Sequence, residues 1–249
     1  VKDVIPKIQE ELNNASTLIL KAPPGAGKST LVPLALMADP WLEGKKILML
    51  EPRRLAAKTI ANRMADILGE KVGESVGYRI RFESRVSEKT KIEVLTEGIL
   101  TRMIHDDNGL EGVGLVIFDE FHERSIHADV AMALCRESQD VLRPDLRILV
   151  MSATLDMPEL SKMLKSPVVE SLGRQHPVDA SYAGDSDMKM LPELASRVIK
   201  TAIDKHDGDV LVFLPGQGEI KRCEEILKRS LKGVMIHPLY GQLPSNKQF

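Results

Sequence analysis

The sequence predicts a three-layer α/β/α fold, with a mostly parallel sheet covered by helices on both faces. Three observations predict it. Strand-length apolar runs alternate with segments of helical periodicity along the 249 residues. Several of those runs stop abruptly at short polar clusters, which in such sheets sit at the carboxyl ends of the strands. One cluster, Ala22-Pro23-Pro24-Gly25-Ala26-Gly27-Lys28-Ser29-Thr30, is a glycine-rich loop set between a strand and a helix.

Taken in order, Val4, Ile5, Ile8 and Leu12 form one helical face ahead of a first strand at residues 17–20. The loop follows, then an amphipathic helix at 31–37. Lys46–Leu50 reads as the second strand, and Arg54–Leu68 as a helix with Ile60, Met64, Ile67 and Leu68 along its buried side. A third strand, Ile92–Leu95, precedes a short helix through Ile99, Met103 and Ile104. Val113–Phe118 is a continuous apolar run ending in Asp119-Glu120, and a helix through Val130 and Leu134 follows it. Residues 148–151 form another apolar run, which ends in Ser152-Ala153-Thr154 before a helix at 160–164.

A domain boundary is expected between 165 and 177, where Ser166-Pro167, Gly173 and His176-Pro177 interrupt the pattern. This gives domains at 1–172 and 173–249. Beyond the boundary the alternation restarts. A helix through Leu194, Val198 and Ile203 leads to a strand at 210–214, and a helix through Ile220, Cys223, Ile226 and Leu227 leads to a strand at 234–236. Residues 216–219 imitate the glycine-rich loop but lack its Lys-Ser pair.

Composition narrows the classes. The chain is 43% hydrophobic and 28% charged, has no apolar run long enough for a membrane span, and opens without a signal-like segment, so the cytoplasm is expected. Cys135 and Cys223 lie inside helical apolar patterns and read as buried thiols rather than a disulfide or metal site. A net charge of -2 means that any polyanion must be held by local basic patches. The chain lacks an initiator methionine and stops at Phe249 without a helix end, which reads as a fragment.

The glycine-rich loop carries the chemistry. Gly25 and Gly27 let the backbone curl so that successive N–H groups face a triphosphate at the positive end of the next helix. Lys28 would reach the terminal phosphates and the Ser29 hydroxyl would bind Mg²⁺, with Pro24, Ala26 and Thr30 completing the cradle. Ala22 stands where such loops usually carry a first glycine. A glycine-rich turn that binds nothing is the plain alternative, and the flanking strand and helix argue against it. At the end of 113–118, Asp119 would hold the Mg²⁺ through its water shell, while Glu120, also near the metal, would orient and deprotonate the attacking water. His122 is a further catalytic candidate or a hydrogen-bonded structural histidine.

These segments, together with Glu51-Pro52-Arg53-Arg54-Leu55-Ala56-Ala57, Gly77-Tyr78-Arg79-Ile80-Arg81-Phe82, Thr96-Glu97-Gly98, Asp119-Glu120-Phe121-His122-Glu123-Arg124 and Ser152-Ala153-Thr154, resemble the front part of a DEAH-box helicase of superfamily 2. Among these the chain is most similar to the bacterial HrpB-like branch, which it resembles also in carrying Phe121 in place of the family's alanine. The resemblance implies a RecA-like P-loop NTPase domain followed by an incomplete second RecA-like lobe. It implies ATP and Mg²⁺ as cofactors and a single-stranded nucleic acid as partner, RNA favoured and DNA possible. Arg53 and Arg54 match the segment that grips a strand's phosphates, Thr96 and Gly98 a second backbone contact, and Arg63 the arginine that stacks on the nucleotide base. Ser152 and Thr154 match the element coupling nucleotide state to strand movement, and serve equally as an N-cap for the next helix. Glu123 and Arg124 read as a local ion pair. The arginine finger of the family's second lobe is not among the matched motifs, so weak nucleotide binding and poor hydrolysis are expected of these residues alone. A nucleotide-switched binding factor and a small-molecule P-loop kinase compete with this reading. The first leaves Glu120 without a task, and the second leaves Glu51 to Ala57 and the Ser-Ala-Thr triplet unexplained.

Overall fold

The computed structural model describes residues 1–153, 157–173, 177–185 and 187–243. The chain divides into two compact units, Val1–His176 and Pro177–Phe249, four residues beyond the division expected from sequence.

In the first unit, α1 (Ile5–Asn14) leads into β1 (Thr17–Lys21), and α2 (Lys28–Leu36) into β2 (Lys46–Leu50). Then come α3 (Arg54–Leu68), β3 (Val76–Ile80), β4 (Glu83–Arg85), β5 (Ile92–Leu95) and α4 (Glu97–Asp106). β6 (Val113–Phe118), α5 (Ile126–Val141), β7 (Arg147–Ser152), α6 (Met157–Leu164) and β8 (Val168–Glu170) complete it. The strands form one eight-stranded sheet in the order β4-β3-β5-β2-β6-β7-β1-β8, parallel except for the β3–β4 hairpin.

The continuous apolar runs have a direct cause. Successive side chains on a strand point to opposite faces, so a strand covered on both faces must be apolar at every position. Leu18, Leu20, Ile47, Met49 and Ile117 point to one face, where they pack with Ile8 and Leu12 of α1, Leu36 of α2 and Met64 of α3. Ile19, Leu48, Leu50, Val116 and Phe118 point to the other, against Leu100 of α4, Met132 and Cys135 of α5 and Leu160 of α6. Each fully buried Leu, Ile or Val stabilises the fold by ~1.5–3 kcal/mol relative to exposure.

Three expectations are corrected. α3 does not bury Ile67 and Leu68, which are 43% and 36% exposed. Its buried face is Ala57, Ala61, Met64 and Ala65, because small side chains let the helix approach the sheet closely. Ile92–Leu95 is not the third strand but the fifth, because the Gly77 to Phe82 segment runs through β3 into the turn of the β3–β4 hairpin, where a Cβ on Gly77 would lie 2.3 Å from the Arg85 carbonyl oxygen. A short edge strand, β8, pairs with β1 inside the stretch read as a boundary.

In the second unit, α7 (Leu191–Lys205) and α8 (Gln217–Ser230) pack through Ile199, Cys223 and Leu227. Cys135 and Cys223 are free, buried thiols. The strands expected at 210–214 and 234–236 are not formed. A strand exists only through its ladder, and neither segment pairs with another among the described residues; Leu211, Phe213 and Met235 are 79%, 87% and 84% exposed. Among the described residues no helix is long and apolar enough to cross a membrane.

A buried carboxylate sits inside the sheet. Glu93 of β5 is 1% exposed and accepts hydrogen bonds from Lys46 of β2 (2.9 Å) and Arg79 of β3 (2.6 Å), tying three adjacent strands. Burial pushes its pKa up, but the bonds from Arg79 and Lys46 outweigh burial and hold it below the ordinary value. That stabilisation is present above the unfolded carboxyl's pKa and is lost as pH falls through the folded one. Glu93→Gln is expected to lower unfolding stability by about 1–3 kcal/mol at neutral pH. Urea denaturation of the variant should show a correspondingly flatter acid limb, and an unchanged midpoint would contradict the bridging role.

Candidate nucleotide site and nucleic-acid interface

Strand register places the site. Lys21 lies beside Ser152, Phe118 beside Val150 and Leu50 beside Phe118, so β1, β7, β6 and β2 release their next residues along one edge. Backbone bonds continue past the strands: Ala22 N–H to Ser152 O (3.0 Å), Asp119 N–H to Leu50 O (3.0 Å) and Glu51 N–H to Leu95 O (2.8 Å). The loop, the acid pair, the Glu51 segment and Thr96 therefore share an edge.

The loop turns at two left-handed glycines, Gly25 (φ +74°) and Gly27 (φ +84°), and α2 starts at once with Lys28. A Cβ on Gly27 would meet Leu31 Cδ1 at 2.9 Å, so this position excludes a side chain by space as well as by conformation. No side chain caps α2, which leaves its positive end to an anion. Pro24 is exposed and Ala26, Ser29 and Thr30 are half-buried along the turn.

Lys28 is 3% exposed and its Nζ lies 2.6 Å from Glu120 Oε1. Glu120 Oε2 is 3.3 Å from His122 Nδ1, which is 3.4 Å from Ser152 Oγ. Lys28, the Glu120–His122 segment and Ser152, far apart in the chain, thus form one contiguous polar row. Thr154 lies outside the described residues. Asp119 is 4% exposed; its Oδ1 accepts from the Glu120 N–H (2.9 Å), while Oδ2 is buried with no hydrogen-bond partner among the described residues. Burial pushes the Asp119 pKa up to about 6, with the neighbouring Ser29 hydroxyl and Lys28 ammonium pulling the other way.

A buried carboxylate oxygen without a donor, beside a serine hydroxyl at the mouth of a phosphate loop, fits a divalent cation. Mg²⁺ at such sites takes one or two protein oxygens with phosphates and water. The fit involves Ser29 and Asp119; Glu120 is engaged with Lys28 and His122 instead.

The acid turn is held under strain. Glu120 (φ 48°) and Arg124 (φ 39°) both adopt positive φ without being glycine, and between them Phe121–Glu123 forms a single 3₁₀ turn. Such residues cost roughly 1–2 kcal/mol each and persist where surrounding contacts overdetermine them. Phe121 supplies much of that: it is 4% exposed and meets Phe118 edge-on at 6.0 Å.

At the β2 and β5 ends, Arg53 occupies the N-cap position of α3 and Thr96 that of α4, neither with a capping side-chain bond, and Gly98 in the first turn of α4 faces open space. Arg54 donates to the Arg81 carbonyl (3.2 Å). The expected Glu123–Arg124 pair is not formed. Glu123 pairs with Arg53 (2.6 Å) and Arg124 with Asp129 (2.9 Å), because the 3₁₀ turn directs the two neighbours to different sides. Arg63 is exposed on α3 and makes no hydrogen bond or ion pair among the described residues. Sequence reading also passed over Glu51, a 3% exposed carboxyl whose pKa burial and the Asp119 charge raise to about 8. Its signal was an acid directly after a buried strand.

Fold and site together define a P-loop nucleotide-binding domain of RecA-like architecture. The chain belongs to the DEAD/DEAH box helicase family, whose model matches residues 2–163. It is 47% identical over its whole length to the ATP-dependent RNA helicase HrpB of Escherichia coli strain K12, of which it spans 31%. A crystal structure of the Escherichia coli DEAH/RHA helicase HrpB matches with a TM-score of 0.92 at 47% identity, covering 100% of this chain and 32% of that one. A second, of the E. coli DExH-box NTPase HrpB, matches at 0.85 and 46% identity, covering 99% and 31%.

Glu51 gives a test of the electrostatics. A carboxyl with a raised folded pKa holds its proton in the folded chain while the unfolded chain has released it, so stability falls as pH rises between the two values. Glu51→Gln is expected to leave stability near pH 5 unchanged and to raise it by on the order of 3 kcal/mol at pH 8. Denaturant melts at both pH values, without divalent cations, measure the difference; a variant destabilised at pH 8 would show that Glu51 is ionised and paired.

Proposed function

We propose that this chain is the ATP-binding and strand-gripping part of an NTP-dependent helicase or translocase that couples ATP hydrolysis to movement on single-stranded nucleic acid. RNA is favoured, in keeping with the RNA helicase named among its relatives. The observation that carries this reading is the position of Glu120. It sits at the end of β6, bonded to Lys28 of the phosphate loop on one side and in a turn joined through Glu123 to Arg53 on the other.

The roles follow from the chemistry. The loop from Pro24 to Thr30 wraps the phosphates with backbone N–H groups, and Lys28 exchanges its bond to Glu120 for one to the terminal phosphate. That exchange frees a Glu120 oxygen to orient and accept a proton from the attacking water. Mg²⁺, when bound, neutralises charge on the phosphate oxygens. Ser29 and Asp119 would hold it. His122 links Glu120 to Ser152, and the Ser152 to Thr154 segment passes the change towards the strand. Arg63 stacks on the base. Arg53 and Arg54 take backbone phosphates, with Thr96 and Gly98 presenting a second contact that no bulky side chain obstructs. Residues 1–172 form the first lobe and 173–249 the opening of the second, in a protein of the cytoplasm.

Mg²⁺-dependent ATP hydrolysis by this chain extended with a full second lobe to the length of its relatives, with and without single-stranded RNA or DNA, tests this. A strand is expected to stimulate turnover, Lys28→Ala to abolish it, and Glu120→Gln to keep nucleotide binding while lowering turnover by roughly 10²-fold or more. Arg53→Ala should weaken strand binding for all sequences alike and reduce the salt slope by about 1. Turnover indifferent to nucleic acid would favour a small-molecule P-loop enzyme.

A further inference from the structure

Of the two segments assigned to strand gripping, one is bonded to the turn that follows the acid pair and the other to the cap of α5 just beyond it. Arg53 donates to Glu123 at 2.6 Å. Glu97, between Thr96 and Gly98, accepts a hydrogen bond from the Ser125 hydroxyl at 2.7 Å, and the same hydroxyl accepts from Ala128 N–H to cap α5. Glu123 closes the 3₁₀ turn that begins one residue after Glu120. Only two residues separate the water-orienting acid from the partner of a phosphate-gripping arginine.

We propose that Glu123 is a positioning residue that competes with strand phosphate for Arg53, so that arrival of a strand releases the acid turn from α3. This rests on the helicase reading of the site. The geometry supplies the parts. The Arg53 side chain is 70% exposed and that of Glu123 31%, so the pair is open to an incoming anion. An exposed ion pair is worth little in water and exchanges readily. Arg53 spends a single N–H on Glu123, whereas a phosphate can take two from the same guanidinium, which favours exchange once the strand is seated. The turn has reason to respond, because it hangs between positive-φ residues at both ends and so depends on its outside contacts for its shape. The Glu97–Ser125 bond keeps α5 in place while Arg53 is exchanged, which confines the change to the residues carrying Glu120 and His122.

The test uses this chain, a short labelled single-stranded RNA, and four proteins: wild type, Glu123→Gln, Arg53→Ala and the double variant. Removing the internal competitor is expected to tighten strand binding about 2- to 5-fold at low salt. The double variant should bind as weakly as Arg53→Ala alone, since Glu123 then has nothing to compete for. A second readout is the factor by which a non-hydrolysable Mg²⁺-ATP analogue changes strand affinity, which should differ from one in wild type and shrink towards one in Glu123→Gln, with analogue affinity itself unchanged. A merely structural role would weaken strand binding and persist in the Arg53→Ala background. Glu123→Gln binding no tighter than wild type, or tightening that survives Arg53→Ala, overturns the competition; a wild-type factor of one, or a factor that Glu123→Gln leaves as it was, overturns its transmission to the nucleotide. Absence of strand binding by the wild type instead overturns the helicase reading, and this inference with it.

Discussion

A parallel sheet buried on both faces permits polar side chains almost nowhere but at its ends, and this constraint organises the chain. Strands β1, β2 and β6 are apolar at consecutive positions because neither face meets water. Apart from Glu93, which Lys46 and Arg79 hold, the charged groups of these strands lie at their ends. Register does the rest: β1, β7, β6, β2 and β5 are aligned so that Ala22, Ser152, Asp119, Glu51 and Thr96 emerge along one edge. Chemistry that is scattered over more than a hundred residues of sequence becomes contiguous because hydrogen-bonded neighbours share a register.

That edge concentrates negative charge in a poorly solvated place. Glu51 and Asp119 are nearly inaccessible, and burial raises both carboxyls towards neutrality, Glu51 further because the Asp119 charge adds to burial. Lys28 is the buried cation that answers them, and it reaches Glu120 rather than Asp119 in the closest contact. One oxygen of Asp119 has no donor among the described residues, a cost of roughly 1–3 kcal/mol that a bound cation would remove. A phosphate loop beside such an acid is thus matched to a metal–triphosphate pair more closely than to a free anion.

β6 stands between the two halves of this chemistry. On one side β7 and β1 lead to Ser152 and the loop; on the other β2 and β5 lead to Arg53 and Thr96. The turn after β6 touches both, through Glu120 to Lys28 and through Glu123 to Arg53. Its positive-φ ends and the buried Phe121 give it a definite shape that neighbouring contacts maintain. The aromatic at this position is a packing element, filling the space between Phe118 and the α5 side of the core.

Much of this was legible in the chain itself. Apolar runs marked β2 and β6 to the residue, since a doubly buried strand leaves an unbroken signal; β5 was marked despite Glu93, and Arg54–Leu68 was marked as α3 by its period. The loop and the acid pair were visible because their residue types have few other uses in that context. What the sequence could not carry were relations between distant residues. The β3–β4 hairpin and β8 are short edge strands whose patterns are too brief to stand out, and 210–214 has strand propensity without a ladder. The partners of Glu123 and Glu93 depended on which strands became neighbours. Local periodicity and residue type therefore determined the elements and the chemistry they can hold, whereas strand order and register alone decided which charges meet, because an ion pair requires approach within a few ångströms and only the folded sheet brings those positions together.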